Sequence, residues 1–230
     1  MPQNYLENLT CEQARAFGAY YDLLVEYNQK FNLTSITEKN EVYLKHFADS
    51  IAAAKLLDAG ARVLDIGCGA GFPSIPLKIV REDLSFGLVD SVGKKVTFVN
   101  EVIKQLNLRN ISCIHSRVEG LNQCKKAAIL NSPLAYDYAL ARAVSPLNIL
   151  IEYSLPFLKV GGCLIAYKSY EIEEELKLAQ NALKILNGRV KAVDKYYLHG
   201  LGRSLVVVEK TAPTPAGYPR GQNKPRTKPL

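Results

Sequence analysis

Residues 62–78, RVLDIGCGAGFPSIPLK, constrain the fold more than any other stretch of this 230-residue chain. Val63, Leu64 and Ile66 read as a short buried strand, and Gly67, Gly69 and Gly71 as a tight turn. Pro73 reads as the opening of a helix, because the first helical position has no intrahelical use for an N–H. Glycine at alternate positions frees the backbone for left-handed angles and lets a ligand approach without meeting a Cβ. The turn is therefore expected to hold something against bare backbone where a helix begins.

The spacing narrows what that ligand is. A dinucleotide fingerprint is G-x-G-x-x-G, with its third glycine serving helix packing and its helix start receiving a pyrophosphate. Here the register is G-x-G-x-G, Phe72 fills the slot of a dinucleotide's third glycine, and Asp65 stands two residues before the first glycine. An aspartate is a poor neighbour for a diphosphate and a good one for a cation. S-adenosylmethionine carries a sulfonium and an α-ammonium, and the D-x-G-x-G-x-G turn resembles the opening of the class I methyltransferases that use it. A glycine-rich turn with no ligand is the alternative.

The surrounding pattern predicts an α/β fold. From Arg62 onward, strands at 62–66, 85–90, 111–115, 136–141, 162–168, 189–197 and 204–209 alternate with helices at 73–81, 93–107, 146–158 and 171–186, with a short one near 117–125. Seven strands with helices on both faces resemble the Rossmann-like class I methyltransferase core, its last strand antiparallel in an edge hairpin. Ahead of it, Ala14, Phe17, Tyr20, Tyr21, Leu24 and Tyr27 recur at helical spacing over 11–29, and a second helical pattern runs from Val42 to Leu57. Ser35 with Glu38, or Thr37 with Glu41, is placed to cap that second helix. The expected domains are a helical cap over 1–60 packed on the core, a methyltransferase domain over 61–210, and a basic arm over 211–230, rich in proline and glycine and expected to be extended.

Charge and cysteine usage bound the function. The formal net charge is +7, with five basic and eight acidic side chains in residues 1–61, twenty and fourteen in 62–210, and four and none in the last twenty. A positive core and tail fit a polyanionic partner, and fit an ordinary basic enzyme as well. The five cysteines are scattered with no C-x-x-C pair, which suits a reducing compartment and points away from a disulfide framework or zinc site. The three histidines lie apart at no metal-ligand spacing, so no metal is expected. No window of about 18 uncharged apolar residues exists and the N-terminus lacks a secretory pattern, so a cytoplasmic chain with no membrane span is expected.

In open parallel sheets the chemistry lies beyond the carboxyl ends of the strands. Asp90 ends the second strand 19 residues after Gly71, where it suits the two ribose hydroxyls of an adenosine or, with Ser91, a helix cap. Val118 and Glu119, after the third strand, are placed to meet the adenine amino edge; Glu119 also reads as a solvated acid in a first helical turn. The expected cofactor contacts are thus Asp65, Gly67, Gly69, Gly71, Phe72, Asp90, Val118, Glu119 and Arg142. Arg142, closing the fourth strand, points between cofactor and substrate, where amine methyltransferases carry a D/N-P-P-Y motif that is absent here. Lys168 ends the fifth strand facing the same cleft. No nucleophile motif such as G-x-S-x-G is present, so catalysis is expected to come from placement rather than from a covalent intermediate.

An ordered set of short motifs spans nearly the whole chain: Phe31-Asn32-Leu33-Thr34, His46-x-x-Asp49-Ser50, DIGCGAGFPSIPLKI, Asp90-Ser91-x-x-Lys94-Lys95, Arg117-x-Glu119, Arg142-Ala143, Lys168, Tyr218-Pro219-Arg220, Lys224-Pro225 and Lys228-Pro229-Leu230. Together they resemble the bacterial ribosomal RNA small subunit methyltransferase G family, also known as glucose-inhibited division protein B. Ser74 and Ser169 depart from the glycines usual in that family. The resemblance implies S-adenosylmethionine-dependent methylation of N7 of a guanine, guanine 527, in the decoding-region loop of 16S ribosomal RNA. That nitrogen carries an in-plane lone pair and needs no general base. Placement, which supplies roughly 7 to 11 kcal/mol in well-oriented reactions, is then the main demand. The resemblance further implies Arg142 and Lys168 as catalytic residues on the guanine O6 or a phosphate, and Arg117, Arg203 and Arg220 on backbone phosphates. Asn32 is placed either to shape the substrate entrance or simply to make a turn, and Tyr218 beside Arg220 either to stack on a base or to lie in a disordered tail. The implied partner is 16S ribosomal RNA, free or within the assembling small subunit, and the expected state is a monomer. The alternatives are a class I methyltransferase with another RNA or small-molecule acceptor, and an RNA-binding module without catalysis.

Overall fold

The computed structural model describes residues 6–123 and 136–230. Helix α1 (Cys11–Phe31) starts at a capping box, in which the Gln13 N–H donates to Thr10 Oγ1 at 3.2 Å and the Thr10 N–H to Gln13 Oε1 at 3.0 Å. It ends on Asn32 at a left-handed φ of 49° and buries Phe17, Tyr20 and Leu24, three of the residues that set its predicted stripe. The second helical stretch is capped by neither Ser35 nor Thr37. Glu38 caps α2 (Lys39–Val42), its carboxylate accepting from the N–H groups of Asn40 and Glu41 at 3.0 and 2.8 Å. Those two bonds hold the Glu38 carboxyl below its ordinary pKa. The chain then widens into a π-helical turn (Tyr43–Ala48) before α3 (Asp49–Ile51), where one continuous helix was predicted.

Strands β1 (Arg62–Ile66), β2 (Ser85–Asp90), β3 (Ile111–His115), β4 (Tyr136–Arg142), β5 (Leu158–Ser169), β6 (Gly188–Leu198) and β7 (Leu201–Lys210) form one sheet in the order β3-β2-β1-β4-β5-β7-β6. Neighbours from β3 to β5 are parallel, and β7 runs antiparallel to both β5 and β6, the edge hairpin that was predicted. Helices α4 (Ser74–Val80), α5 (Gly93–Gln105), α6 (Leu147–Ser154), α7 (Glu173–Leu178) and α8 (Gln180–Ile185) connect the strands. Two predicted helices are shorter or broken: α6 gives way at Leu155 to a 3-10 turn so that β5 begins at Leu158, and the predicted 171–186 helix divides at Ala179. Pro73 is the residue before α4 rather than its first, and follows a cis peptide bond. A 3-10 turn (Val118–Gln123) stands where the short helix near 117–125 was predicted, with 124–125 outside the described residues.

Alternate residues of each inner strand feed opposite cores. Val63 and Leu88 join Phe17, Tyr20, Phe47, Ile75 and Phe98 on the face covered by α1, α4 and α5. Leu64 and Val89 join Leu147, Leu150, Phe157 and Leu183 on the face covered by α6 and α8. Burial of a leucine or phenylalanine in such a core contributes about 1.5–3 kcal/mol. The N-terminal helices are therefore part of the first core.

The tail is not an extended arm. Thr214 Oγ1 donates to the Leu155 carbonyl at 3.4 Å, a short helix α9 (Lys224–Thr227) buries Pro225, and Leu230 packs on the second core. Proline and glycine exclude regular structure there without excluding packing. What draws the tail in is Glu152 on α6, a carboxylate only 1% exposed, to which Arg220 donates from its backbone N–H at 2.9 Å, Nε at 2.8 Å and Nη2 at 2.6 Å.

Candidate functional site

Two cavities adjoin at the carboxyl ends of the strands, around the point where β1 is flanked by β2 on one side and β4 on the other. This is where open α/β sheets bind ligands. The smaller, about 240 Å³, lies over Gly67, Asp90 and the Ser116–Glu119 segment. The larger, about 710 Å³, is walled by His46, Asp49, Arg142, Lys168, Glu175 and Arg203 among others. Ala143 and Val144 line both, so one stretch of loop partitions them.

The glycine turn is built as its spacing requires. The Gly67 N–H donates to the Val89 carbonyl at 2.8 Å, and its φ of +69° is left-handed. A Cβ at Gly67 would lie 2.8 Å from Val144, so this glycine also lets the partition approach. The Gly69 N–H donates to Asp90 Oδ2 at 2.9 Å, while Asp90 Oδ1 accepts from the Val92 N–H at 2.8 Å. Asp90 thus ties the turn to the end of β2 and to the residue before α5, and it lines the smaller cavity. Gly71 lies behind the turn, where a Cβ would meet Ile75 at 2.7 Å.

Of the predicted cofactor residues in this stretch only Gly67 lines the smaller cavity; Asp65, Gly69, Gly71 and Phe72 do not. Asp65 is fully buried, and its Oδ2 accepts from Ser74 Oγ at 2.7 Å while Oδ1 has no hydrogen-bond partner. Burial pushes its pKa up to about 7, with the Ser74 hydrogen bond and the Arg142 charge pulling the other way. Phe72 is buried against Tyr20 and stacks on His46 at 4.5 Å, with the Arg142 guanidinium 5.0 Å from its ring centre. Ser74 thus has a definite task on Asp65. Ser74→Ala is expected to destabilise the fold by about 1–3 kcal/mol at pH 8, where Asp65 is ionised, and by less at pH 5. The sign follows from the Ser74 hydrogen bond, which lowers the Asp65 pKa and so favours the ionised carboxylate: its loss costs more above about pH 7, where Asp65 is charged, than below. Urea denaturation at both pH values checks it.

Val118 and Glu119, the residues expected at an adenine edge, line the smaller cavity. Glu119 Oε1 is buried and accepts no hydrogen bond; the exposed Arg117 guanidinium stands 3.7 Å away, beyond hydrogen-bonding range. A buried acceptor without a donor fits an incoming amino group such as the exocyclic amine of adenine. Together with the open glycine turn and Asp90, these residues fit an adenosine-bearing ligand.

The larger cavity carries the positive charge. Arg142, its side chain 12% exposed, donates to the His46 carbonyl at 3.2 Å and to Asp49 Oδ2 at 3.1 Å. Asp49 Oδ1 also accepts from Tyr196 Oη at 3.1 Å and lies 3.5 Å from Arg203 Nε. Lys168 donates to the Ser145 carbonyl at 2.8 Å and to Glu175 Oε2 at 2.6 Å. Arg142, predicted to serve both cofactor and substrate, lines this cavity and not the smaller one. His46 stays neutral at pH 7, because burial first and the Arg142 charge second push its pKa down to about 4. Its ring resonances are expected to titrate near pH 4 and not between 6 and 8, which proton NMR checks.

The remaining predicted residues stand elsewhere. Arg203 lines the larger cavity and Arg117 the smaller. Asn32 is an exposed helix cap that lines neither. Arg220 is occupied by Glu152, and Tyr218 packs on the second core; neither faces the cavities. The buried Glu152 packs this part of the tail on α6, where an extended or disordered tail was expected. Sequence reasoning did not single out Asp49, His46, Glu175, Asn223 or Arg226 as site residues. His46 and Asp49 sit one helical turn apart, which was a usable signal; Asn223 and Arg226 gave none, because only the folded tail brings them to a cavity. Among the described residues, no group of three or more His, Cys, Asp or Glu is arranged to hold a metal ion.

Comparisons with known proteins agree with this geometry. A family model described as rRNA small subunit methyltransferase G matches residues 13–204. The ribosomal RNA small subunit methyltransferase G of Desulforamulus reducens is 47% identical over 97% of this chain and 92% of its own, and that of Staphylococcus carnosus 43% identical over 96% and 92%. Among solved structures, M. jannaschii TYW2 in complex with AdoMet is similar with a TM-score of 0.55 at 14% identity, over 70% of this chain and 74% of its own, a likeness of fold.

Proposed function

The chain belongs to the rRNA small subunit methyltransferase G family, and from that membership we propose that it transfers a methyl group from S-adenosylmethionine to N7 of a guanine, guanine 527, in the decoding-region loop of 16S ribosomal RNA. The relatives' names support methylation of small-subunit ribosomal RNA. The choice of nitrogen and nucleotide is the finer part of the proposal. When bound, the cofactor supplies an activated methyl group.

The chain's own residues do the rest. The glycine turn, Asp90 and the Val118–Glu119 segment hold the adenosine end in the smaller cavity, and the Ala143–Val144 partition sets the boundary at which the methyl group meets its acceptor. Arg142, Lys168 and Arg203 ring the acceptor side, suited to a guanine O6 and neighbouring phosphates. The observation that carries the N7 reading is the state of the groups able to take a proton there. Asp49 is paired with Arg142, Glu175 with Lys168, and His46 is a weak base with its Nε2 2.9 Å from Thr34 Oγ1. A ring nitrogen with a free lone pair requires no base, whereas an exocyclic amine loses a proton during transfer.

The test is methyl transfer from labelled S-adenosylmethionine to small subunits and to 16S RNA lacking the modification. Mapping should find a 7-methylguanine at the proposed position by its borohydride- and aniline-induced strand break. Label in an exocyclic amine, a ribose or a protein would overturn the N7 reading.

A further inference from the structure

The inference concerns the tail and rests on the cofactor reading above. Residues 218–230 lie across α6 and are anchored at both ends: Arg220 on the buried Glu152, and Leu230 on the second core with its carbonyl accepting from Asn148 Nδ2 at 3.4 Å. Pro225, buried between them, prevents the span from lifting freely. What the anchored span presents inward is Asn223 and Arg226, both on the wall of the smaller cavity. Asn223 Oδ1 accepts from Arg117 Nη1 at 3.4 Å, and Arg226 Nη2 reaches the Val144 carbonyl at 3.5 Å, on the partition itself. Tyr153, on the same wall, is influenced by Arg226, Arg117 and Glu119 together, although burial dominates and raises its pKa.

We propose that the C-terminal tail is a strap completing the cofactor site, with Asn223 and Arg226 holding the adenosine end. Four walls then surround the base: the end of β2 with Asp90, the Ser116–Glu119 segment, the Val144 partition and the strap. Arg226 brings a planar guanidinium, able to lie against a purine face or to donate to its ring nitrogens. Asn223 brings an amide that both donates and accepts. Neither is buried, and each has a weak protein partner that a ligand can replace. No residue of the strap lines the larger cavity, and the strap meets it only through the Val144 partition, so its main effect falls on cofactor affinity.

The experiment is calorimetric titration of the full chain with S-adenosylhomocysteine and with 5′-methylthioadenosine, which lacks the amino-acid end. Asn223→Ala with Arg226→Ala is expected to raise both dissociation constants about tenfold or more. Arg226→Lys should recover part of the loss, and Lys228→Ala, on the same tail but away from the cavity, none should occur. In turnover the KM for S-adenosylmethionine should rise while kcat at saturating cofactor holds. A double variant that binds both ligands as the unmodified chain does overturns the strap alone. A loss confined to S-adenosylhomocysteine overturns the assignment to the adenosine end. Failure of the unmodified chain to bind either ligand overturns the cofactor reading and the strap with it.

Discussion

Replacing Arg142 by alanine should lower kcat/KM for the RNA roughly 100-fold or more, the usual scale for removing one preorganised charged donor from a site. Cofactor affinity should change far less. Arg142 lines the larger cavity and is absent from the smaller one, and its guanidinium is held by Asp49, the His46 carbonyl and the Phe72 ring. That fixation makes it a positioned charge rather than a mobile surface one. Lysine at the same place keeps the charge but loses the planar fork, so Arg142→Lys should recover only part of the rate. The fold should survive, because Asp49 keeps Tyr196 and Arg203 as partners. Single-turnover methyl transfer alongside calorimetry separates the two effects. Unchanged turnover on small subunits would remove Arg142 from the mechanism.

The largest stability effect should come from Arg220→Ala. It removes the two bonds donated by the Arg220 side chain, keeps the one from the backbone N–H, and leaves a carboxylate that is 1% exposed with no cation beside it. Breaking one side of a buried pair costs about 3–5 kcal/mol, chiefly because the surviving charge is stranded. Replacing Glu152 at the same time, as Glu152→Leu with Arg220→Ala, removes the stranded charge and should return most of that loss. Urea unfolding of the two variants decides the matter. A single variant as stable as the unmodified chain would mean that water reaches Glu152 once the tail is cut loose.

How much of this was legible in the sequence differs from place to place for physical reasons. The strand positions and the glycine turn rest on local pattern: short apolar runs, and backbone angles only glycine adopts easily, as at Gly67. Those are properties of neighbouring residues and could be read. The position of Asp65 could not be, because one residue of β1 faces the cavity mouth and the next faces the packing beneath α4. Only the observed register, with Asp65 beside Leu88 and Leu140, settles which. The tail was misread for a related reason. Arg220 looks like a surface cation among prolines until Glu152, 68 residues earlier in the chain, is seen to be buried under it. The π turn at Tyr43–Ala48 has no local signature at all, yet it aims His46 and Asp49 into one cleft.

The partition of Ala143 and Val144 is thin. Ala143 holds a left-handed φ of 56°, a conformation an alanine adopts only when its surroundings impose it, and Val144 rests where a side chain on Gly67 would clash. A solute pressing on that loop from either side alters the shape offered on the other. Linkage then requires reciprocity: by whatever factor a bound nucleotide strand tightens or loosens the small ligand, the small ligand must tighten or loosen the strand by the same factor.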